Sequence, residues 1–307
     1  DLLTGWGDYP RALAYAQTAI NIYEKREGPN SSYLPIALGT AANLMILLGR
    51  NPEAEPLLLR GLSLLEKSDP PHLSGMIRTL QDLASFYTRT GRAELAEPLL
   101  LRAVKMADGA TIKSTLPQQV RRNLAEIYLT DGKFAEARTL IGQAIARSEG
   151  EKTPSVLLCN SYLMASRIER RAGDLVLARS FVDKARATLK AVSQPNDAVM
   201  GDVDAELAEI ALAEGKPAEA ATLLARSANL MSARPYPNLL RESAAISASA
   251  TEITAGQTPD WARARAAGDG MTLRLVRDAM LPTKDAAVRR EIPLYDKLLG
   301  IAWESRF

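Results

Sequence analysis

The 307-residue chain carries 38 lysines and arginines against 36 aspartates and glutamates, a formal net charge of +2. This near-neutral balance excludes a general electrostatic attraction to nucleic acid or to anionic membrane surfaces. Hydrophobic residues make up 47% of the chain and aromatic residues only 5%, which favours helices packed on helices over strands.

The first 28 residues have the pattern of half a helix pair. Only six residues precede Gly7, too few for a helix, whereas residues 8–27 have the amphipathic pattern of one. We therefore predict a half repeat at 1–28. Because the chain begins with Asp1 rather than Met, we expect a fragment or a processed chain.

After the half repeat, amphipathic helix pairs alternate with links that contain proline or glycine. The predicted pairs lie at 33–67, 75–108, 116–149, 155–192, 197–232 and 238–280, and a C-terminal capping helix lies at 285–306. Together they predict a single solenoid domain over residues 1–307, because each pair has an apolar stripe that only a neighbouring pair can cover.

A glycine recurs at the turn inside each pair, where its tolerance of left-handed backbone ends the first helix. Neighbouring glycines in this series are separated by 41 or 42 residues. The series is Gly7, Gly49, Gly91, Gly132, Gly173, Gly215 and Gly256. A regular period in this range indicates a stacked repeat protein.

Residues of similar type also recur at fixed distances after the glycines, and each such distance forms one column of the repeat. In the copy at Gly132, Ala137 stands five residues later, Leu140 eight later and Ala144 twelve later, and similar residues stand there in the other copies. Small residues let helices cross closely, so these columns predict antiparallel packing with the large residue between the small ones.

These columns resemble the tetratricopeptide repeat, in the longer form found in kinesin light chains and many bacterial proteins. The segments that carry the resemblance are RNLAEIYLTDGKFAEARTLI (122–141), LASFYTRTGRAELAEPLLLRAV (83–104), LGRNPEAEPLLLRGL (48–62) and LAEIALAEGKPAEAATLLARS (207–227). The resemblance implies an all-α, right-handed α-solenoid of antiparallel helix pairs. It also implies a protein- or peptide-binding scaffold rather than an enzyme.

In this family the first helix of each pair lines a concave groove, and the resemblance carries that role to residues at fixed distances before each glycine and to the residue after it. The implied groove residues are Arg78, Ser85, Arg89, Arg92, Gln119, Arg122, Asn123, Glu126, Asn160, Arg167, Arg170 and Arg171. Asn123 matches an asparagine that grips a peptide backbone in kinesin-light-chain-like arrays, and Asp82 replaces it in the preceding repeat.

Arginine makes two-pronged contacts with carboxylates, so we expect the groove to bind an acidic or C-terminal peptide. An ordinary solvated face with arginine–glutamate pairs remains an alternative. Two other functions stay open. One is a sensor or regulatory module of a larger bacterial protein, fused to a CHAT protease, a kinase or a DNA-binding domain. The other is a spacer or self-assembly element, and the oligomeric state is open.

Residues for catalysis or metal binding are scarce. His72 is the only histidine and lies in a proline-rich link, and Cys159 is the only cysteine and lies on an apolar helical stripe. We therefore expect no enzyme, no metal and no cofactor. No apolar run is long enough for a membrane span, so we expect no membrane insertion. We expect a cytoplasmic protein, with export after removal of a signal segment left open.

Overall fold

The computed structural model describes residues 9–28, 31–109, 112, 114–151, 154–192, 197–231, 248, 251, 252 and 255. Three predicted features lie outside these residues: the first eight residues of the half repeat, nearly all of the pair at 238–280, and the capping helix at 285–306. Two of the predicted turn glycines, Gly7 and Gly256, lie outside them as well.

Eleven helices occupy the described ranges, and these ranges contain no strand. Their bounds are α1 Tyr9–Arg26, α2 Leu34–Leu47, α3 Asn51–Glu66, α4 Leu73–Arg89, α5 Ala93–Asp108, α6 Leu116–Thr130, α7 Phe134–Gly150, α8 Val156–Ala172, α9 Leu175–Ala191, α10 Asp197–Ala213 and α11 Pro217–Met231. The all-α class predicted from the sequence is confirmed.

The described helices fall into two compact units that divide between Ile127 and Tyr128. In the first unit α1 packs on α2, α2 on α3, α3 on α4 and α4 on α5, and the first helices α2 and α4 also touch each other. In the second unit α7 packs on α8, α8 on α9, α9 on α10 and α10 on α11, and α8 touches α10. Each unit is therefore a stack of helix pairs.

The turn glycines end the first helices as predicted. Gly49, Gly91, Gly132, Gly173 and Gly215 all have positive φ, between 74° and 93°. In each case the N–H of the following residue donates to the carbonyl five residues earlier, as Arg50 does to Met45 at 2.8 Å and Asp174 to Glu169 at 2.9 Å. This is the Schellman arrangement, which satisfies carbonyls at a helix end and needs a left-handed residue.

The two columns of small residues are confirmed, and the large apolar column is shifted by one residue. Ala96, Ala137 and Ala178, five residues after their glycines, are fully buried, and so are Ala103, Ala144 and Ala185, twelve after.

The residue eight after the glycine, predicted to pack between them, is only half-buried at Leu140 and is 63% exposed at Tyr15. The large buried residue stands nine after, at Leu58, Leu100 and Ile141. Spacings of four and three keep positions five, nine and twelve on one helix face, whereas position eight lies beside that face.

Candidate functional site

A groove of about 530 Å³ lies in the first unit, between α2, α4 and the start of α6. Its polar lining includes Asn43 from α2, His72, Arg78 and Asp82 from the α4 segment, and Gln119 from α6. Arg78 and Gln119 are two of the groove residues implied by the family resemblance, and the structure brings them to the same groove. Their role in binding stays a prediction.

Asp82 is the carboxylate of this groove. Asn43 donates a hydrogen bond to it, and burial raises its pKa to about 6, against the opposing effects of that hydrogen bond and of the Arg78 charge. On the α2 side Gly39 lies opposite Asp82, and a Cβ added there would stand at ordinary contact distance, 3.8 Å, from Asp82 Oδ2. The groove therefore holds a partly desolvated negative charge one helical turn from the exposed Arg78.

His72 has a structural role that the sequence did not reveal. It is the residue before α4, and its Nδ1 accepts a hydrogen bond from the backbone N–H of Gly75 at 3.0 Å. Gly75 makes this possible, since a Cβ there would lie 2.4 Å from Nδ1. His72 is thus exposed at the end of the proline-rich link, and it caps a helix at the edge of the groove.

Arg92, another implied groove residue, bridges two repeats. Its guanidinium makes two hydrogen bonds to the Glu55 carboxylate, at 2.9 and 3.1 Å, and stacks over the Tyr87 ring at 4.7 Å from the centroid. Tyr87 donates its hydroxyl to the same carboxylate. The Arg92 hydrogen bonds hold the pKa of Glu55 below its usual value. This arginine therefore stabilises the contact between α3 and the α4–α5 turn.

Two of the second-unit arginines surround a buried carboxylate. Glu206 on α10 is 3% exposed and accepts hydrogen bonds from Arg170 Nε at 3.0 Å and Ser166 Oγ at 3.1 Å. Arg167 Nε lies 3.6 Å from the same carboxylate, and Arg170 also lies 3.7 Å from Glu209. Arg171 is exposed. Much of the predicted basic character at Arg167 and Arg170 is thus neutralised by glutamates.

The other implied groove residues are distributed over both units. In the first unit Ser85, Arg89 and Glu126 are exposed, and Arg122 and Asn123 are half-buried. Asn160 is half-buried on α8 in the second unit, beside the fully buried Cys159.

Sequence reasoning missed the buried carboxylates of the second unit. Glu169 accepts two hydrogen bonds from the Arg138 guanidinium, at 2.6 and 2.8 Å. Asp204 accepts two from the Arg226 guanidinium, both at 2.5 Å. The available signal was an acidic residue on the apolar side of a first helix. Such a position predicts that the carboxylate is buried, but a helix pattern alone does not identify its partner on the neighbouring helix.

Cys159 has the environment of a core residue. Burial raises the pKa of its thiol to about 12, with a smaller contribution from the charge of Asp202. A nucleophilic cysteine needs the opposite shift. Among the described residues no group of three or more metal-ligating side chains occurs. Within the same part of the chain, no helix is both long and apolar enough to cross a membrane.

Comparisons with known proteins agree with this architecture. A sequence profile described as a tetratricopeptide repeat matches residues 119–149. A search of curated protein sequences finds no match to this chain.

Several solved structures resemble the chain. BtubC (BKLC) from P. vanneervenii is 20% identical, with a TM-score of 0.59 over 76% of this chain and 92% of that one. A Rap protein complexed with competence and sporulation factor is 13% identical, with a TM-score of 0.60 over 93% of this chain and 81% of that one. NprR in complex with its cognate peptide NprX is 13% identical, with a TM-score of 0.57 over 98% and 82%. The chain therefore has the fold of tetratricopeptide-repeat proteins, and residues 119–149 match the sequence of such a repeat.

Proposed function

We propose that this chain is a non-enzymatic scaffold that binds a protein or peptide partner along its first helices, with the first-unit groove as the binding site. The observation that carries this proposal is the groove itself, which combines amide groups of Asn43 and Gln119 with the charges of Arg78 and Asp82. Amides offer both a donor and an acceptor, as an extended peptide backbone requires. The complex of NprR with its cognate peptide supports the proposal, because that protein has the same fold.

The partner is an acidic or C-terminal peptide, with Arg78 as the residue that contacts its carboxylate. Arg78 is exposed in the groove, and among the described residues no carboxylate forms a salt bridge with it. Arg92, Arg167 and Arg170 are weaker candidates because Glu55 and Glu206 already occupy them.

The test is a binding titration of fluorescent acidic peptides, with and without a free C-terminal carboxylate, against the full chain. Charge reversal by Arg78→Glu should weaken binding at least about tenfold. The matched control is Lys105→Glu, an exposed lysine on the second helix α5 of the same unit. Equal affinity of the Arg78→Glu variant and the parent chain would refute a site at this groove.

Charge reversal of Arg167 and Arg170 is not a suitable test, because it would place new negative charges beside the buried Glu206. The alternative function, a regulatory module of a larger bacterial protein, stays a prediction. It is checked by determining which domains the gene encodes on either side of this segment.

A further inference from the structure

One repeat position carries a buried or half-buried carboxylate in both units. Nine residues before the turn glycine stand Asp82 on α4 and Glu206 on α10. Both lie on first helices and face the preceding first helix, where Asn43 contacts Asp82 and Arg167 and Arg170 contact Glu206. The chain therefore contains an internal comparison between two versions of the same position.

The two carboxylates have very different partners. Glu206 accepts hydrogen bonds from Ser166 and Arg170 and lies close to Arg167. Ser166, Arg167 and Arg170 stand seven, six and three residues before Gly173. The corresponding residues of the earlier repeat are Ala42, Asn43 and Ile46. Only Asn43 can donate a hydrogen bond, so Asp82 lacks the guanidinium that neutralises Glu206.

Asp82 is also more accessible than Glu206. It is half-buried and lines the open groove, whereas Glu206 is 3% exposed. Among the described residues no lysine or arginine forms a salt bridge with Asp82, which interacts with the Asn43 side chain and, over a longer distance, with the Arg78 charge. A partly desolvated carboxylate with one neutral donor gains strongly from a cation that reaches it.

We propose that the bound peptide supplies this missing cation, so that Asp82 binds a lysine, arginine or amino-terminal group of the partner while Arg78 binds a neighbouring carboxylate. The inference rests on the proposed function, and it narrows the ligand class from an acidic peptide to one that carries opposite charges about one helical turn apart. The raised pKa of Asp82 supports it, because burial outweighs both the Asn43 hydrogen bond and the Arg78 charge, and a bound cation would lower the pKa again.

The other charged groups around Asp82 are few. Arg78 and His72 come from the α4 segment, α2 contributes Gly39 and Asn43 without a charge, α3 contributes Leu65, and α6 contributes Gln119. No residue of α5 lines the groove. His72 also lines this groove. Its contribution is therefore separated by the variant His72→Asn, which keeps a side-chain acceptor for the helix cap.

The experiment uses labelled, acetylated and amidated alanine–glycine peptides that carry one of four pairs of central residues, with each unlike pair in both orders. These residues are Lys-Glu, Lys-Gln, Gln-Glu or Gln-Gln, and binding to the full chain is measured at pH 7.5. We expect lysine to raise affinity about fivefold or more over glutamine. This gain should vanish in Asp82→Asn and in Ile46→Arg, which supplies the internal arginine found at Glu206. It should persist in His72→Asn and in Asp183→Asn, a control at an exposed residue of α9.

The outcomes separate the two proposals. If glutamate raises affinity through Arg78 but lysine adds nothing, the proposed function stands and the role of Asp82 is overturned. If acidic peptides bind more tightly below pH 6 and Asp82→Asn reproduces this at pH 7.5, Asp82 takes a proton instead of a cation, and the inference is again overturned. If none of these capped peptides binds, the inference fails, and the titration with a free C-terminal carboxylate decides the proposed function. A lysine gain at pH 7.5 that shrinks at pH 5 supports the inference.

Discussion

The buried carboxylate of Glu206 predicts a large difference between two arginines that lie one turn apart on α8. Arg170 makes two hydrogen bonds to it, at 3.0 and 3.3 Å, whereas Arg167 stands at 3.6 Å, beyond hydrogen-bonding distance. The Arg170 side chain is 21% exposed and that of Arg167 is 40% exposed. We therefore expect Arg170 to stabilise the second unit far more than Arg167 does.

The magnitude follows from the geometry. Removing one partner of a buried ion pair costs about 3 to 5 kcal/mol, because the other charge is left uncompensated. At Glu206 the remaining Ser166 hydrogen bond and the nearby Arg167 reduce this cost, so we expect about 2 to 3 kcal/mol for Arg170→Gln. Arg167→Gln should cost less than about 1 kcal/mol, the usual range for exposed pairs. The double variant Arg170→Gln with Glu206→Gln should recover most of the loss.

Hydrogen exchange followed by mass spectrometry is the suitable assay, because repeat arrays do not unfold as one cooperative unit. The segments to follow are α8 and α10, and Lys190→Gln on α9 serves as an exposed control. An equal loss from Arg167→Gln and Arg170→Gln would refute the assignment of Arg170 as the main counter-charge. Additive losses in the double variant would refute the pairing itself.

Three further predictions concern the first unit and use the same assay. Arg92 holds the pKa of Glu55 below its usual 4.5. The pair should therefore stabilise α3 and α4 above that pH, and the stabilisation should be lost as the pH falls. Arg92→Gln should abolish this pH dependence. Gly75→Ala should destabilise the start of α4 by about 1 kcal/mol through loss of the His72 cap, whereas an unchanged opening rate would contradict the clash.

The pKa of Asp82 is raised from 3.8 to about 6, which corresponds to at most about 3 kcal/mol. Its contribution to stability is present at low pH and is lost as the pH rises through 6. Asp82→Asn should therefore stabilise α4 at pH 7.5 and not at pH 4, and equal effects at both values would contradict the shift.

The sequence predicts the fold well because the fold rests on local and repeated signals. Positive φ at Gly132 and close packing at Ala137 are requirements of single positions, and a constant period multiplies the signal of each. The shifted column at Leu140 shows the limit of this reasoning. A helical pattern places residues on a face within about one position, and packing against the partner helix decides which of two neighbours is buried.

The candidate site is less predictable, because its charges are set by contacts between repeats. Arg92 and Arg170 belong to the same implied groove set as Arg78, and nothing in the local sequence distinguishes them. The difference lies about 36 residues away, at Glu55 and Glu206, in helices that only the three-dimensional structure brings together. Pairing across repeats neutralises Arg92 and Arg170 and so removes part of the apparent basic charge of this face.

A repeat protein also offers a way of finding binding positions that single domains lack. The same repeat position occurs several times in one chain. Where its polar side chain has an internal partner in one copy and lacks that partner in another, the second copy identifies a group that an external partner can bind. Glu206 with Arg170 is the satisfied copy, and Asp82 with Ile46 is the unsatisfied one. Both carboxylates stand nine residues before a turn glycine, so the two copies are compared at one position of the repeat. The variant Ile46→Arg tests this reasoning directly, since it places in the first unit the residue type that Arg170 supplies to Glu206 in the second.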